Sequence, residues 1–234
     1  MIKAVLFDFG QTLVDSANGF RAAEKEAQAR IFSDLSLTSW ENFLSSYRRI
    51  RKEFHDKSMF SRKLIWEEVY FYYCLAPDLT RLEIWEHEYW ETVKAHTTLF
   101  PETEQVLEAL TARYKLALIT NTQGQQARNT HRINQFSNLE RFFKVIIVAG
   151  EGGVPPKPDR IPFRLCLERL GIVPDEAVYV GDDWRIDICG AKDVGIQPIW
   201  LQHYSVNRNW PAVETSLPII TSLDQLLDLE RLVS

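Results

Sequence analysis

The side chains best placed for chemistry in this sequence are two aspartates, each of which ends a short apolar run. Asp8 lies in the segment FDFGQTL, and Asp182 lies far downstream in VYVGDD. If both runs are strands of an open parallel sheet, their ends lie at its carboxyl edge, where ligands bind. Carboxylates at such an edge can serve as nucleophiles or as ligands of a hard cation. We therefore expect Asp8 and Asp182 to meet at one site.

The elements that would hold these aspartates are short apolar runs that alternate with helical patterns. Buried strands are predicted at Ile2–Phe7, Leu116–Ile119, Val145–Val148, Ala177–Val180 and Pro198–Leu201. Helices are predicted between them at Thr103–Ala112, Asp159–Leu170 and Ile186–Val194. Strands that alternate with helices pair in parallel through right-handed crossovers. The predicted fold class is therefore α/β, with a doubly wound, Rossmann-like parallel sheet whose edge is completed by Pro218–Ile220 and a helix over Leu223–Leu232.

Residues 16–98 differ from the rest, because strand signals vanish and long amphipathic stretches replace them. The predicted helices are Arg21–Asp34, Ser39–Lys57, Arg62–Leu75 and Thr80–His96. Ser39 is predicted to be a helix N-cap, and the turn at residues 76–78 separates the last two helices. We interpret this region as an α-helical bundle inserted after the first strand. Residues 1–15 and 99–234 would then form the Rossmann-like core, and residues 16–98 a helical cap domain.

The composition bounds the kind of protein. Hydrophobic residues make up 45% and charged residues 25% of the 234 residues, which is typical of globular proteins. The net charge of -5 disfavours a nucleic-acid surface, which needs a concentrated basic face. No apolar stretch approaches the ~18 residues of a membrane span. The cysteines Cys74, Cys166 and Cys189 are odd in number and widely separated, which disfavours disulfides and zinc and favours a reducing cytoplasm.

Four segments, in this order, resemble the motifs of the haloacid dehalogenase superfamily. Members of that family carry an Asp-x-Asp-x-Thr-like start, a strand-terminal Ser or Thr, a Lys, and a Gly-Asp with a further Asp downstream. The matching segments here are LFDFGQTLVDS, FPETEQVLEALTARYKLALITN, KPDRIPFRLCLERLG and VYVGDDWRIDICGAKDVGI. The resemblance covers essentially the whole chain, including a helical cap inserted after the first motif, and it implies a hydrolase.

The resemblance also implies a role for each matching residue. Asp8 would be the nucleophile that attacks phosphorus to give an aspartyl-phosphate. Mg²⁺ would be held by Asp8, Asp182 and the backbone carbonyl of Gly10. Lys157 would neutralise charge on the phosphoryl group, and Thr120 would donate a hydrogen bond to one of its oxygens.

Five further residues are candidates for contacts around this centre. Gln11 could orient a water molecule, and Thr12 is expected to brace the loop after the first strand. Asn121 either contacts substrate or satisfies backbone groups at its strand end. Asp183 is a further candidate metal ligand. Asp187 either holds the motif lysine or reaches the metal through water.

Gly10 stands two residues after Asp8, where ordinary phosphatases of the family carry an aspartate that protonates the leaving oxygen and then activates water. Glycine can do neither, and general acid–base catalysis is commonly worth ~10²–10⁴ in rate. We therefore expect a Mg²⁺-dependent phosphatase whose activity is weak or selective for good leaving groups. A cap residue such as His55, His87 or Glu67 could stand in for the missing acid.

Three alternatives remain open. Haloacid dehalogenases also lack the second aspartate, although their site works without a metal and Asp182 favours a metal site. Phosphonate hydrolases carry a small residue at this position and use a cap lysine, for which Lys52, Lys57 and Lys63 are available. The third alternative, from another class, is a binding or regulatory protein with little turnover.

The cap is expected to determine substrate choice by closing over the strand ends and excluding water. Its aromatic residues are Trp66, Tyr70, Phe71, Tyr72, Tyr73, Trp85, Tyr89 and Trp90. Aromatic residues at helical spacing usually form a bundle core, but this cluster is also consistent with a subunit contact, so monomer and homodimer both remain open. The expected partner is a small phosphorylated molecule, with no nucleic acid and no membrane.

Overall fold

The computed structural model describes residues 1–122, 132–207 and 209–233 of the chain. These residues form two compact units. One contains residues 1–15 and 98–122 together with the described residues from 132 onward, and the other contains residues 16–97. The first unit has α/β structure and the second consists of helices.

The strands belong to the α/β unit. In the described part of the chain they are β1 (Ala4–Phe7), β2 (Val14–Asp15), β3 (Thr98–Leu99), β4 (Lys115–Asn121), β5 (Phe143–Ala149), β6 (Ala177–Gly181), β7 (Gln197–Leu201) and β8 (Ile219–Ile220). Six of them form one sheet in the order β5-β4-β1-β6-β7-β8, and every neighbouring pair is parallel. β2 and β3 form a separate antiparallel pair. The predicted parallel α/β sheet is therefore confirmed.

The two strands at the centre of the sheet, β1 and β6, are almost entirely apolar because both faces of the sheet are covered. Val5 and Phe7 of β1 lie in one buried hydrophobic cluster, together with Val180 of β6. Leu6 of β1 and Tyr179 of β6 lie in a second cluster. Since successive side chains of a strand point to opposite faces, each strand contributes to both clusters.

The strand order creates a topological switch point between β1 and β6. From β1 the sheet continues to β4 and β5 on one side, whereas from β6 it continues to β7 and β8 on the other. In open α/β sheets the crevice outside the carboxyl ends of the strands at such a point is the usual ligand site. Asp8 directly follows β1 and Asp182 directly follows β6. Both acids therefore lie at the switch point.

The helical unit contains four of the described helices. These are α1 (Ala17–Asp34), α2 (Trp40–Asp56), α3 (Arg62–Tyr72) and α4 (Leu79–Ala95). The Ser39 side chain accepts a hydrogen bond from Asn42 N at 3.4 Å, so the predicted N-cap of α2 is confirmed. α1 begins four residues earlier than predicted, and a Cβ at Gly19 would lie 2.7 Å from Val93 O of α4. Only glycine permits this approach of the two helices.

The remaining described α-helices belong to the α/β unit. They are α5 (Thr103–Thr111), α6 (Ser137–Glu140), α7 (Arg160–Leu170), α8 (Cys189–Asp193) and α9 (Leu229–Leu232), with 3₁₀ turns at Arg132–Phe136, Pro174–Glu176 and Leu223–Asp228. Among the residues described, no helix is both long and apolar enough to span a membrane.

One predicted helix, Ile186–Val194, is only partly correct. The chain instead forms a π-helical turn over Trp184–Ile188, which continues into α8. Asp183 explains the early start, because its side chain accepts a hydrogen bond from Ile186 N at 2.9 Å. Its backbone carbonyl accepts one from Ile188 N at 3.2 Å, five residues later. Single π-turns of this kind occur frequently at functional sites.

The interior of the helical unit is aromatic, with Tyr47, Trp66, Tyr89 and Trp90 buried. Of the aromatic residues in the predicted cluster, Phe71 and Tyr72 are instead exposed. The cluster therefore serves mainly as the core of the bundle, as aromatic residues at helical spacing usually do.

A charge network crosses this aromatic interior. Arg62 of α3 is only 4% exposed, and its Nε lies 3.8 Å from Oε2 of Glu24 in α1. The Tyr89 hydroxyl of α4 donates to the same carboxylate at 3.1 Å, and Arg51 of α2 pairs with it at 3.0 Å. Burial alone would raise the pKa of Glu24, but the two arginines outweigh it and lower that pKa. The network thus links all four helices through one ionised carboxylate.

Candidate active site

Three buried carboxylates meet at the carboxyl edge of the sheet. Oxygen atoms of Asp8, Asp182 and Asp187 lie within 4.8 Å of one another. Asp8 continues the pairing of β1 with β6, because its N–H donates to Val180 O at 2.9 Å. The predicted meeting of Asp8 with Asp182 is therefore seen, and Asp187 of the π-helical turn joins them.

Lys157 lies among these acids, and its side chain is 1% exposed. Its Nζ lies 2.8 Å from Asp8 Oδ1 and 2.7 Å from Asp187 Oδ1. Two neutral oxygens complete its surroundings, the Ile119 carbonyl at 2.8 Å and the Tyr179 hydroxyl at 2.7 Å. A single nitrogen thus contacts the residue after β1, two strands (β4 and β6) and the π-helical turn.

The acidic side chains around Lys157 explain why its amine is protonated. Burial by itself lowers the pKa of Lys157, but the carboxylates of Asp187 and Asp8 outweigh burial and raise that pKa above its ordinary value. The ammonium therefore stays charged at neutral pH. Three acidic side chains meet here beside this one buried lysine, so acidic groups outnumber basic ones at the site. Such an excess suits a divalent cation with oxygen ligands.

Asn121 fixes the backbone that carries Lys157. Its side-chain amide donates to Lys157 O at 3.0 Å, and its side-chain oxygen accepts from Lys157 N at 2.8 Å. Of the two roles predicted for Asn121, the structure thus shows the one in which it satisfies backbone groups. These paired hydrogen bonds tie the end of β4 to the lysine loop.

Asp183 and Asp187 are held by the turn that follows β6. The Asp183 side chain caps the π-helical turn, while its N–H donates to Asp187 Oδ2 at 3.0 Å. A Cβ at Gly181 would lie 2.5 Å from the Asp187 Cβ, which is closer than atoms can approach. Glycine at position 181 is therefore what lets Asp187 reach Lys157.

The loop after β1 holds three of the predicted site residues. Gly10 forms an isolated bridge with Val14, and Gln11 has a positive φ of 59° while its N–H donates to Val14 O at 2.8 Å. The Thr12 hydroxyl is buried with no hydrogen-bond partner among the described residues, so the bracing predicted for Thr12 is not seen as a hydrogen bond. The loop folds back immediately after Asp8.

Thr120 lies near the carboxyl end of β4 and is buried. Phe7 of β1 pairs with Leu118, so Thr120 stands two residues further toward the edge where Asp8 lies. Its position in the sheet agrees with the position predicted from the strand-end motif.

Sequence reasoning missed Tyr179 and Trp200. Tyr179 reaches Lys157 through its hydroxyl, and Trp200 Nε1 donates to the backbone carbonyl of Asp182 at 2.9 Å. Trp184 packs against Trp200 with ring centroids 4.9 Å apart. A tyrosine within an otherwise apolar strand was the available signal, because a buried hydroxyl normally needs a polar partner.

The site combines a topological switch point, carboxylates at that point and a buried lysine between them. These features define an α/β enzyme whose acidic side chains lie at the carboxyl ends of its strands. The chain belongs to the haloacid dehalogenase-like hydrolases, whose family model matches residues 2–195. The predicted hydrolase class is thereby confirmed.

Individual relatives agree with this assignment. The chain is 26% identical to a glyceraldehyde 3-phosphate phosphatase of Pyrococcus furiosus, covering 98% of this chain and 94% of that protein. It is 28% identical to the phosphoglycolate phosphatase of Escherichia coli strain K12, covering 97% and 91%. A crystal structure of a 2-haloacid dehalogenase from Pseudomonas syringae pv. Tomato superposes with a TM-score of 0.67 at 25% identity, covering 100% of both chains.

Proposed function

We propose that this hydrolase is a Mg²⁺-dependent phosphatase that releases phosphate from a small phosphorylated metabolite through an aspartyl-phosphate on Asp8. The observation that carries the proposal is the contact of a buried lysine with Asp8 at 2.8 Å, beside a second carboxylate from Asp182. The relatives described above include two phosphatases of small metabolites, which supports the same substrate class.

The donor set fits Mg²⁺, which prefers oxygen ligands and takes one or two carboxylates. Asp8, Asp182 and the backbone carbonyl of Gly10 are the proposed ligands. Asp187 is less suitable, because its Oδ1 accepts from Lys157 and its Oδ2 accepts from Asp183 N. When bound, Mg²⁺ would screen the repulsion between the Asp8 carboxylate and a phosphate dianion.

The protein's own side chains would carry out the other steps of the reaction. An Asp8 oxygen attacks phosphorus, the bond from phosphorus to the leaving oxygen breaks, and water later hydrolyses the acyl-phosphate. Lys157 would turn one N–H from Asp8 to a phosphoryl oxygen, while Asp187 and Asn121 keep the lysine in place. Thr120 would donate to another phosphoryl oxygen.

Gly10 determines which substrates we expect to react fastest. It offers no side chain to protonate a leaving alkoxide, and the neighbouring Gln11 could only orient water. Aryl and acyl phosphates have better leaving groups and need less protonation. We propose that the enzyme is selective for such substrates.

Restoring an acid at position 10 should change this selectivity. We expect Gly10→Asp to raise kcat on an alkyl phosphate by about tenfold or more relative to kcat on p-nitrophenyl phosphate, because only the alkoxide needs a proton. Gly10→Asn is the matched control, since it has the same shape without a titratable proton and should leave the ratio unchanged. If folded Gly10→Asp changes kcat equally on both substrates, the lack of an acid at position 10 does not explain the selectivity.

Chelation tests the proposed function itself. Wild-type protein should release phosphate from p-nitrophenyl phosphate in Mg²⁺, lose that activity in EDTA, and regain it when Mg²⁺ is restored. Halide release from 2-chloropropionate in EDTA would instead establish a dehalogenase. No turnover in Mg²⁺ across phosphomonoesters, acyl phosphates, phosphonates and haloacids would favour a binding protein on this fold.

A further inference from the structure

Tyr179 is a buried tyrosine whose hydroxyl sits inside the carboxylate–lysine cluster. Its side chain belongs to β6, in a run of otherwise apolar residues, and it is completely buried. The hydroxyl lies 2.7 Å from Lys157 Nζ, 3.1 Å from Ile119 O and 3.2 Å from Asp187 Oδ1. Its ring packs edge-on against Phe163 with centroids 5.2 Å apart.

The oxygens around Lys157 outnumber its hydrogens. An ammonium has three N–H groups, and four oxygens lie within 2.8 Å of Nζ. Two of them are carboxylate oxygens and one is a backbone carbonyl, all of which only accept. Only the Tyr179 hydroxyl can both accept from Lys157 and donate to Ile119 O or Asp187.

Burial keeps the Tyr179 hydroxyl neutral, because it raises the pKa of that group well above its ordinary value. Tyr179 can therefore accept an N–H from Lys157 without adding negative charge beside the reaction site. A further carboxylate in place of this hydroxyl would add to the repulsion of a phosphate.

We infer that Tyr179 is a positioning residue, which holds the Lys157 ammonium in place when one N–H leaves Asp8 for a phosphoryl oxygen. The inference rests on the proposed phosphatase function. When one N–H points to the phosphoryl oxygen, the two others remain for Asp187 and the Tyr179 hydroxyl, and that hydroxyl can donate its own hydrogen to Ile119 O. The hydroxyl thus preorganises the charge that stabilises the transferring phosphoryl group.

Tyr179→Phe tests this role because it retains the ring and its packing against Phe163. A hydrogen bond to a charged group is lost, so we expect kcat on p-nitrophenyl phosphate to fall about tenfold or more, with KM changed less than about twofold. Tyr47→Phe is the matched control. It also removes a completely buried hydroxyl, one that accepts from Trp66 Nε1 at 3.0 Å in the helical unit, and it should leave kcat unchanged.

A second measurement needs no substrate. The ¹H–¹⁵N spectrum of the lysine ammonium groups should contain a slowly exchanging signal that disappears in Lys157→Met. We expect Tyr179→Phe to accelerate the hydrogen exchange of that signal, and Tyr47→Phe to leave it unaltered. Unchanged exchange in Tyr179→Phe would overturn the inference, as would unchanged kcat. If wild-type protein has no phosphatase activity, the proposed function is wrong. The exchange rate of the Lys157 signal still shows whether Tyr179 holds the ammonium in place.

Discussion

Replacing Asp8 with asparagine is expected to reduce phosphate release from p-nitrophenyl phosphate in Mg²⁺ by about 10³-fold or more. The amide is a poor nucleophile and removes one negative charge from the proposed cation site. Asp187, which lies 2.7 Å from Lys157 Nζ in the wild-type protein, is unchanged by this substitution, so the fold should persist. Release of p-nitrophenolate gives the rate, and circular dichroism checks the fold.

Asp193→Asn provides the matched control for this experiment. Asp193 lies on the same α/β unit, but it is exposed and pairs with Arg160 at 2.9 Å. The same chemical change there should leave turnover within about twofold of wild type, because exposed ion pairs contribute little. Undiminished turnover in folded Asp8→Asn would show that Asp8 is not the nucleophile.

Replacing Arg62 with alanine is expected to lower the free energy of unfolding by about 3 kcal/mol or more. Glu24 would then be left buried, with only the partly exposed Arg51 as a cationic partner. The variant also loses the stacking of the guanidinium on Tyr89, whose ring centroid lies 5.1 Å away. Urea denaturation followed by tryptophan fluorescence measures the change, since Trp66 and Trp90 lie in the same unit.

The control for Arg62 is Arg49→Ala in α2, which breaks an exposed ion pair with Glu53. It should cost less than about 1 kcal/mol. Adding Glu24→Gln to Arg62→Ala should recover part of the loss, because no buried charge then remains unpaired. If Arg62→Ala lowers the free energy of unfolding by less than about 1 kcal/mol, the charge network around Glu24 does not stabilise the helical unit.

The pH dependence of this contribution has a definite sign. The pKa of Glu24 is lowered in the folded protein, so its stabilisation is present above the pKa of the unfolded chain and is lost as pH falls through the folded pKa. The difference in stability between wild type and Arg62→Ala should therefore narrow at acid pH.

Much of the architecture could be predicted from short stretches of sequence. The apolar runs at Ile2–Phe7 and Ala177–Val180 gave the two central strands and their acids, because a strand buried on both faces must be apolar throughout. Ser39 marked the start of α2 for an equally local reason, because its side chain accepts a hydrogen bond from a backbone N–H in the first turn of the helix. The π-helical turn was missed, because its start depends on one hydrogen bond that the Asp183 side chain accepts from Ile186 N.

The sequence by itself determined the α/β class, the helical insertion and the acids at the strand ends, since these follow from residue types and from contacts between near neighbours. Only the tertiary structure decided how the acids are partnered. Lys157 and Asp8 are 149 positions apart, yet their side chains lie 2.8 Å apart. The tyrosine that completes the lysine's surroundings comes from a third part of the chain. Such contacts depend on the order of the strands and on how closely Asp187 can approach the backbone at Gly181. They cannot be predicted from short stretches of sequence.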